Sequence, residues 1–413
     1  MAQLWIVRRQ DTQTMNAMKF TVVYCFICFS IVNHASAQNW MLSTNAPVNW
    51  TAIACSADGT KLVAGTQSAE KIFLSTNSGA TWTQDTNGDV YSPGSLWVSL
   101  ASSADGTKLV AAFYPGYIFT STNSGNNWAL ANSNDKYWVS VASSADGTKL
   151  VAAEGEGGYI WQSTNSGATW NKTGASGQFW SAIASSADGA RLVATTLSYS
   201  LSFPKGEIYT STNSGTTWTQ ATNAPIAYWQ SVASSADGTK LVAVVNDVND
   251  GFIYISTDSG TTWVQATNAP SEYWISVASS ADGSKLVAGY EGQSYTSTNS
   301  GATWTSSNGG PSGAYYVAAS ADGNSLMAVV ANNGIYTSQS TPSPQLNLTL
   351  ADTNVAISWT VPSRIFVPQQ SPDLISWSSI TDKPTLNLTT LQDVVNLSPT
   401  NGTCFYRLAT PQF

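Results

Sequence analysis

In "YWQSVASSADGTKLVAVV", Tyr228 to Val245, apolar residues alternate with polar ones up to an Asp-Gly pair and then run almost unbroken. That pattern predicts a strand, a tight turn and a second strand. "GFIYISTDSGTTWVQ", Gly251 to Gln265, adds a third short strand, a polar turn of the form Ser-x-Asx-x-Gly-x-Thr-Trp, and a fourth strand starting at Trp263. The unit is thus four antiparallel strands, A to D.

The unit repeats. Ser-Ala-Asp-Gly occurs seven times, with its Asp at 58, 105, 146, 188, 237, 282 and 322, in steps of 47, 41, 42, 49, 45 and 40 residues. The Ser-x-Asx-x-Gly-x-Thr-Trp turn, or a close variant, occurs six times: Ser75 to Trp82, Ser121 to Trp128, Ser163 to Trp170, Ser211 to Trp218, Ser256 to Trp263 and Ser297 to Trp304. Four short strands at a period of this size predict the blades of a β-propeller. The missing seventh box explains itself at the ends. "NWMLSTNAPVNW" (Asn39 to Trp50) aligns with "TWTQATNAPIAYW" (Thr217 to Trp229) as a D strand without its own blade, and Tyr316 to Ser340 supplies A, B and C and stops. The expected fold is all-β: a seven-bladed β-propeller closed by an N-terminal strand, which covers the edges of the ring and pins its ends together. After Ser340 the repeat gives way to a Pro/Ser linker over 341–345, and the alternating strands of 346–413 predict a small C-terminal β-sandwich.

Residues 1–37 read as an export signal cleaved after Ala37: Lys19, the apolar run Phe20 to Val32, then "ASA". The run is shorter than the roughly 20 residues of a membrane-spanning helix, so no membrane span is expected after signal removal. The expected location is secreted, periplasmic or on the cell surface. Removal takes with it the only histidine, His34, which excludes Ser/His and Cys/His nucleophiles and His-ligated zinc. Of the two cysteines that remain, Cys55 sits where sister repeats carry Ser or Ala and reads as a small buried thiol, with a disulfide to Cys404 as the alternative. The mature chain has 13 basic against 23 acidic residues, a net charge of −10. Such a chain repels phosphate backbones, so nucleic acid is not an expected partner.

The recurring turn resembles the Asp-box (BNR) repeat of the sialidase-like superfamily, which also includes photosystem II assembly factor-like and xyloglucanase-like propellers. The resemblance covers residues 38 to 340 and implies the propeller fold. Sialidases add three arginines that clamp a carboxylate, with a Tyr nucleophile beside a Glu; the mature propeller here has one arginine, Arg191, in an A to B turn. Xyloglucan hydrolases set two Asp across a cleft between two propellers, whereas this chain has repeats for one. The arginine-rich patch of the photosystem II factors and the cysteine-rich appendages of sortilin-type receptors are absent from the sequence. "SPDLISWSSI" and "SPTNGTCFYRL" resemble the short terminal sandwiches of secreted bacterial propellers.

In a propeller the A to B and C to D turns share one rim. Here both are nearly invariant between repeats and read as scaffold: Asp and Asn cap their own turns, Gly takes the positive dihedral and Trp packs between blades. The B to C and D to A loops of the other rim vary and carry most of the acids, so ligand binding is expected there. Each A strand is read as opening with an aromatic, namely Trp50, Trp97, Trp138, Trp180, Trp229, Trp274 and Tyr316, usually after a second one (Tyr137, Phe179, Tyr228, Tyr273, Tyr315). The first set could ring the channel mouth and stack on sugars, or pack between blades. Glu154 and Glu156 are further candidate ligand contacts. Asp247 and Asp250 in "NDVNDG" have oxygen-ligand spacing for Ca²⁺ but fall far short of a full calcium-loop consensus, so a solvated loop is the preferred reading and no cofactor is expected.

The resulting expectation is an exported, monomeric, non-catalytic recognition or scaffold propeller for polysaccharide or protein. The alternative is a glycoside hydrolase pairing Glu154 or Glu156 with Asp247.

Overall fold

The computed structural model describes residues 5–9, 20–23, 40–43, 49–66, 71–85, 96–131, 136–197, 205–247, 251–307, 313–330, 333–339, 346–351, 354–360, 367–373, 375–382, 384–387, 392–397 and 403–409. All regular structure among them is strand. Two compact units are present, one of 37–340 with 388–390 and the other of the remaining residues at both ends. The boundary at Ser340 is where the repeat is lost in the sequence.

The larger unit contains, among the described residues, seven four-stranded antiparallel sheets. We number them by their first strands: Trp50–Cys55, Leu96–Ser102, Trp138–Ser143, Phe179–Ser185, Trp229–Ser234, Trp274–Ser279 and Ala314–Ala319. Sheet 5 shows why the pattern folds this way. Its second strand, Leu241–Val245, is buried at every position because neighbouring sheets cover both faces, and so its sequence is an unbroken apolar run. The fourth strand, Val264–Gln265, is short and lies on the outside. In sheet 7 the fourth strand is Trp40–Leu42, paired antiparallel to Gly334–Gln339 with Trp40 opposite Ser338.

Successive first strands pack side by side, and the seventh packs on the first. A hydrogen-bonded ring ties the same circuit at the Ser-Ala-Asp-Gly turns. Each turn's Ala donates its N–H to the carbonyl of the next: Ala57 to Ala104, Ala145, Ala187, Ala236, Ala281, Ala321 and back to Ala57, all at 2.7–2.8 Å. Six basic side chains reinforce it from outside. Lys61, Lys108, Lys149, Arg191 and Lys240 each donate to the backbone carbonyl of the next turn's Asp at 2.6–3.0 Å, and Lys285 donates to Asn324. The equivalent position in sheet 7 is Ser325, so the step from sheet 7 to sheet 1 lacks a cationic clasp. Ser43 ties that junction instead: its N–H donates to Ile335 O, its hydroxyl donates to Gly79 O, and it accepts from Trp82 Nε1 at 2.8 Å.

The turn itself is a local device. In sheet 5, Ser235 Oγ donates to Asp237 Oδ1 at 2.6 Å, Asp237 accepts from Thr239 N at 3.0 Å, and Lys240 N returns to Ser235 Oγ at 3.0 Å. Burial pushes the Asp105, Asp146, Asp188, Asp237 and Asp282 carboxyls upward, but hydrogen bonds from Ser and backbone N–H, and from Thr or Ser284 where present, together with a nearby cation, outweigh it. All five lie below the ordinary 3.8. A carboxyl depressed in the folded state contributes stability above its unfolded pKa and loses it as pH falls. At Asp322, which is more deeply buried, desolvation outweighs the same hydrogen bonds and Lys285, so its carboxyl is shifted upward and acts in the opposite sense. We therefore expect the melting temperature to be flat near neutrality and to fall below about pH 4. Asp237→Asn should lose part of that dependence. An unchanged midpoint in melts taken from about pH 7 to about pH 3 would remove the turns as its source.

In the smaller unit, one sheet runs Asn347–Ala351, Asn354–Thr360, Gln392–Leu397, Thr385–Asn387. The other runs Phe20–Val23, Trp5–Arg9, Thr403–Ala409, Val367–Ser371, Ser378–Ser379. Ile357, Trp359, Val395 and Leu397 of the first share a core with Tyr406 of the second. The segment read as an export signal thus supplies two strands here, with Trp5 opposite Tyr406. Cleavage after Ala37 would leave Thr403–Ala409 paired on one side only.

Candidate functional site

The two rims differ as their sequences do. On one, the box and the Ser-Ala-Asp-Gly turn meet: Ser78, Ser124, Ser166, Ser214, Ser259 and Ser300 each donate N–H to the residue after the neighbouring turn's Gly at 2.8–2.9 Å. Within the box at Ser211, the hydroxyl donates to Asn213 Oδ1 at 3.0 Å and accepts from Gly215 N at 2.9 Å, while Asn213 Oδ1 accepts from Thr217 N. In this box each polar side chain that makes the motif recognisable is used to hold its own turn, Trp218 Nε1 donating to Gly215 O at 3.1 Å. The positive dihedral is not confined to Gly215 (φ 83°), because Ser214 also has φ 54° and the other five boxes repeat this. Two cavities on this rim, of about 10 and 20 Å³, are lined by Arg191, Ser211 and Ser259, and by Lys61, Ser75 and Ser124; each has room for no more than about one water.

The tryptophans that open the first strands are packing residues. Trp50, Trp97, Trp138, Trp180, Trp229 and Trp274 are 0–3% exposed, so none offers a ring face to a ligand. Trp229 sits in a cluster with Val193 and Ile208 of sheet 4, edge-on to Tyr254 with centroids 5.3 Å apart. A Cβ on Gly65 of sheet 1 would lie 2.6 Å from Trp97 Cβ of sheet 2, which shows how closely the backbones approach at this ring. Tyr316 does not belong to the set. Ala314 pairs with Val330 as Trp274 pairs with Tyr290, and Tyr316 pairs with Val329 as Ser276 pairs with Gly289. Tyr316 therefore occupies the position of Ser276, and Ala314 that of the tryptophan. The offset is countable along the chain: each of the six tryptophans lies eight residues before its turn's Asp, as Ala314 does, whereas Tyr316 lies six before Asp322. A β-bulge follows the tryptophan position in all seven first strands.

The aromatics just before the tryptophans emerge on the variable rim. Tyr137 is 46% and Tyr273 48% exposed, while Phe179 and Tyr228 are half-buried. Tyr159, on the same rim, is also exposed. Tyr315 has no described side chain. The acids divide. Glu154 is held by Lys136 Nζ at 2.8 Å, by Trp161 Nε1 at 3.1 Å and by the backbone N–H of Tyr159, and is structural. Glu156 is exposed at the tip of its loop and accepts from Tyr114 OH at 3.3 Å. Glu207 accepts from Tyr209 OH at 2.6 Å, and burial with that carboxylate pushes the phenol up to about 12.

Asp247 lies 3.9 Å from Lys205, and Asp250 falls outside the described residues. Among the described residues no three His, Cys, Asp or Glu side chains group as metal ligands would. Glu154, committed to Lys136 and Trp161, has no free role in an acid pair with Asp247. Cys55 is a free thiol whose Sγ donates to Ala319 O at 3.2 Å; burial, then the Asp58 and Asp322 carboxylates, push it up to about 12.

No protein-family model matches the chain, and no curated protein matches it in sequence. Solved structures do. YCF48 bound to D1 peptide is similar at TM-score 0.57 and 14% identity, over 75% of this chain and 98% of that one. Hydrazine synthase of Kuenenia stuttgartiensis is similar at TM-score 0.56 and 14% identity, over 72% of this chain and 97% of that one. An ancestral GH74 enzyme is similar at TM-score 0.55 and 14% identity, over 79% of this chain, which spans 54% of that one. At such identities the likeness is one of fold, the β-propeller.

Proposed function

We propose that this chain is an exported, non-catalytic, seven-bladed propeller, closed by Trp40–Leu42 and carrying a small β-sandwich over 346–413. It recognises polysaccharide or protein through its variable rim. The observation that carries this reading is the division of polar groups between the rims. On the scaffold rim the motif side chains are mostly spent on their own turns and on the next turn, whereas the variable rim presents exposed tyrosines and a carboxylate, Glu156, that forms no ion pair among the described residues. Variable loops on a frame stiffened in this way are where recognition is normally placed. A propeller of similar fold holds a peptide in the YCF48 structure, which supports recognition as a use of the scaffold. No calcium ion or other cofactor is needed for it.

The test is incubation of the purified chain with plant, algal and bacterial polysaccharides and sialylated glycans, with Ca²⁺ or chelator, scoring retention and released oligosaccharides together. Retention without products is expected. Released products would overturn the non-catalytic reading.

A further inference from the structure

We infer that a neutral polysaccharide binds at one corner of the variable rim, on Tyr114, Tyr137 and Glu156. This rests on the recognition reading and adds a ligand class and a place to it. Tyr114 ends the second strand of sheet 2, Leu109–Tyr114. Tyr137 precedes the buried Trp138 of sheet 3, and Glu156 stands in the loop that follows Leu150–Glu154. The two tyrosine rings have centroids 5.6 Å apart and are inclined at 49°. The Tyr114 hydroxyl donates to Glu156 Oε1. Backbone bonds hold the parts in place: Gly116 and Lys136 exchange both bonds at 3.0 Å, and Gly155 N donates to Tyr137 O at 2.8 Å.

The chemistry suits a sugar chain. An exposed tyrosine ring offers its face to the C–H side of a pyranose, and an ionised carboxylate accepts from hydroxyls, keeping spare lone pairs after one bond from Tyr114. The half-buried Phe179 ring lies beside Gly157, next to Glu156, where a Cβ would stand 3.9 Å from it. That extends the apolar strip toward sheet 4 and favours a chain over a single residue.

Three other ligand classes fit less well. A cation held between the two rings needs a slot, but rings 5.6 Å apart are already in contact. The cations near this corner are also committed elsewhere, Lys172 lying 3.6 Å over Tyr159 and Lys136 pairing with Glu154. A polyanion would meet Glu156 with no partner of opposite charge offered to it. A peptide strand is captured chiefly through backbone edges. Here those edges are closed, Gly116 by Lys136, Gly155 by Tyr137 and Gly158 by Gln178.

The experiment is affinity electrophoresis of the full chain through gels containing hydroxyethylcellulose, mixed-linkage β-glucan, galactomannan or laminarin, with carboxymethylcellulose as the anionic comparison. The wild type should be retarded by at least one neutral gel. Tyr137→Ala should weaken that retardation about tenfold and Glu156→Gln about threefold. Tyr273→Ala, an equally exposed tyrosine before sheet 6, should leave it unchanged, and thermal melts check that each variant is folded. If the wild type is retarded and the Tyr137 and Glu156 variants behave like it, the site is wrong while recognition by the rim stands. Retardation by no neutral gel, or stronger retardation by carboxymethylcellulose, overturns the proposal.

Discussion

A chain that begins at Thr44 will be markedly less stable than one that begins at Gln38, by about 3–5 kcal/mol, and prone to associate. The six residues removed contain the fourth strand of sheet 7, with its pairs Trp40 to Ser338, Met41 to Thr337 and Leu42 to Tyr336. They also contain Ser43, whose N–H, hydroxyl donor and acceptor all join this strand to Ile335, Gly79 and Trp82. Each hydrogen bond is worth about 1 kcal/mol net, and Trp40 adds packing against the core of sheet 7. The effect is concentrated because this junction alone lacks the basic clasp, Ser325 standing where the other sheets have Lys or Arg. Deletion also bares the Gly334–Gln339 edge to other chains. Denaturant midpoints and size-exclusion profiles of the two truncations decide it. Equal midpoints would mean that the strand does not close the ring.

Trp229→Ala should cost about 3–5 kcal/mol. The side chain is 0% exposed, fills the space between sheets 4 and 5, and touches Tyr254 and Trp263 with centroids 5.3 and 6.4 Å away. Tyr228→Ala, one residue earlier and half-buried on the rim, should stay within about 1 kcal/mol of wild type. The pair separates the two uses that the sequence allowed for the first-strand aromatics. A Trp229→Ala protein with an unaltered midpoint but weakened glycan retention would return the tryptophans to the binding surface and displace the tyrosines.

Much of the scaffold was legible because its causes are local. The Asp-Gly turns, the boxes and their capping side chains close hydrogen bonds over two to five residues, as from Ser235 to Asp237 and Lys240. A short pattern suffices to announce such bonds. The orphan strand at Trp40 was legible for a different reason: the spacing to Asp58 matches that from a box tryptophan to the next turn. The candidate site was harder. Tyr137 and Trp138 are neighbours of similar chemistry, yet one is 46% and the other 1% exposed. Nothing in either residue states which will face solvent. Glu154 and Glu156 present the same problem two residues apart, because only the arrival of Lys136 and Trp161 removes the first from solution.

The sequence by itself determined the repeat, its four strands, its turn chemistry, the scaffold rim and the partner strand for the last sheet, since each follows from contacts within one repeat or from counting repeats. Tertiary structure alone decided which aromatics are buried, how the seven alanine amides link into a circuit, and that the six basic turn residues reach the next repeat. These depend on how one sheet meets the next, between chain segments some forty residues apart and beyond the reach of any local pattern.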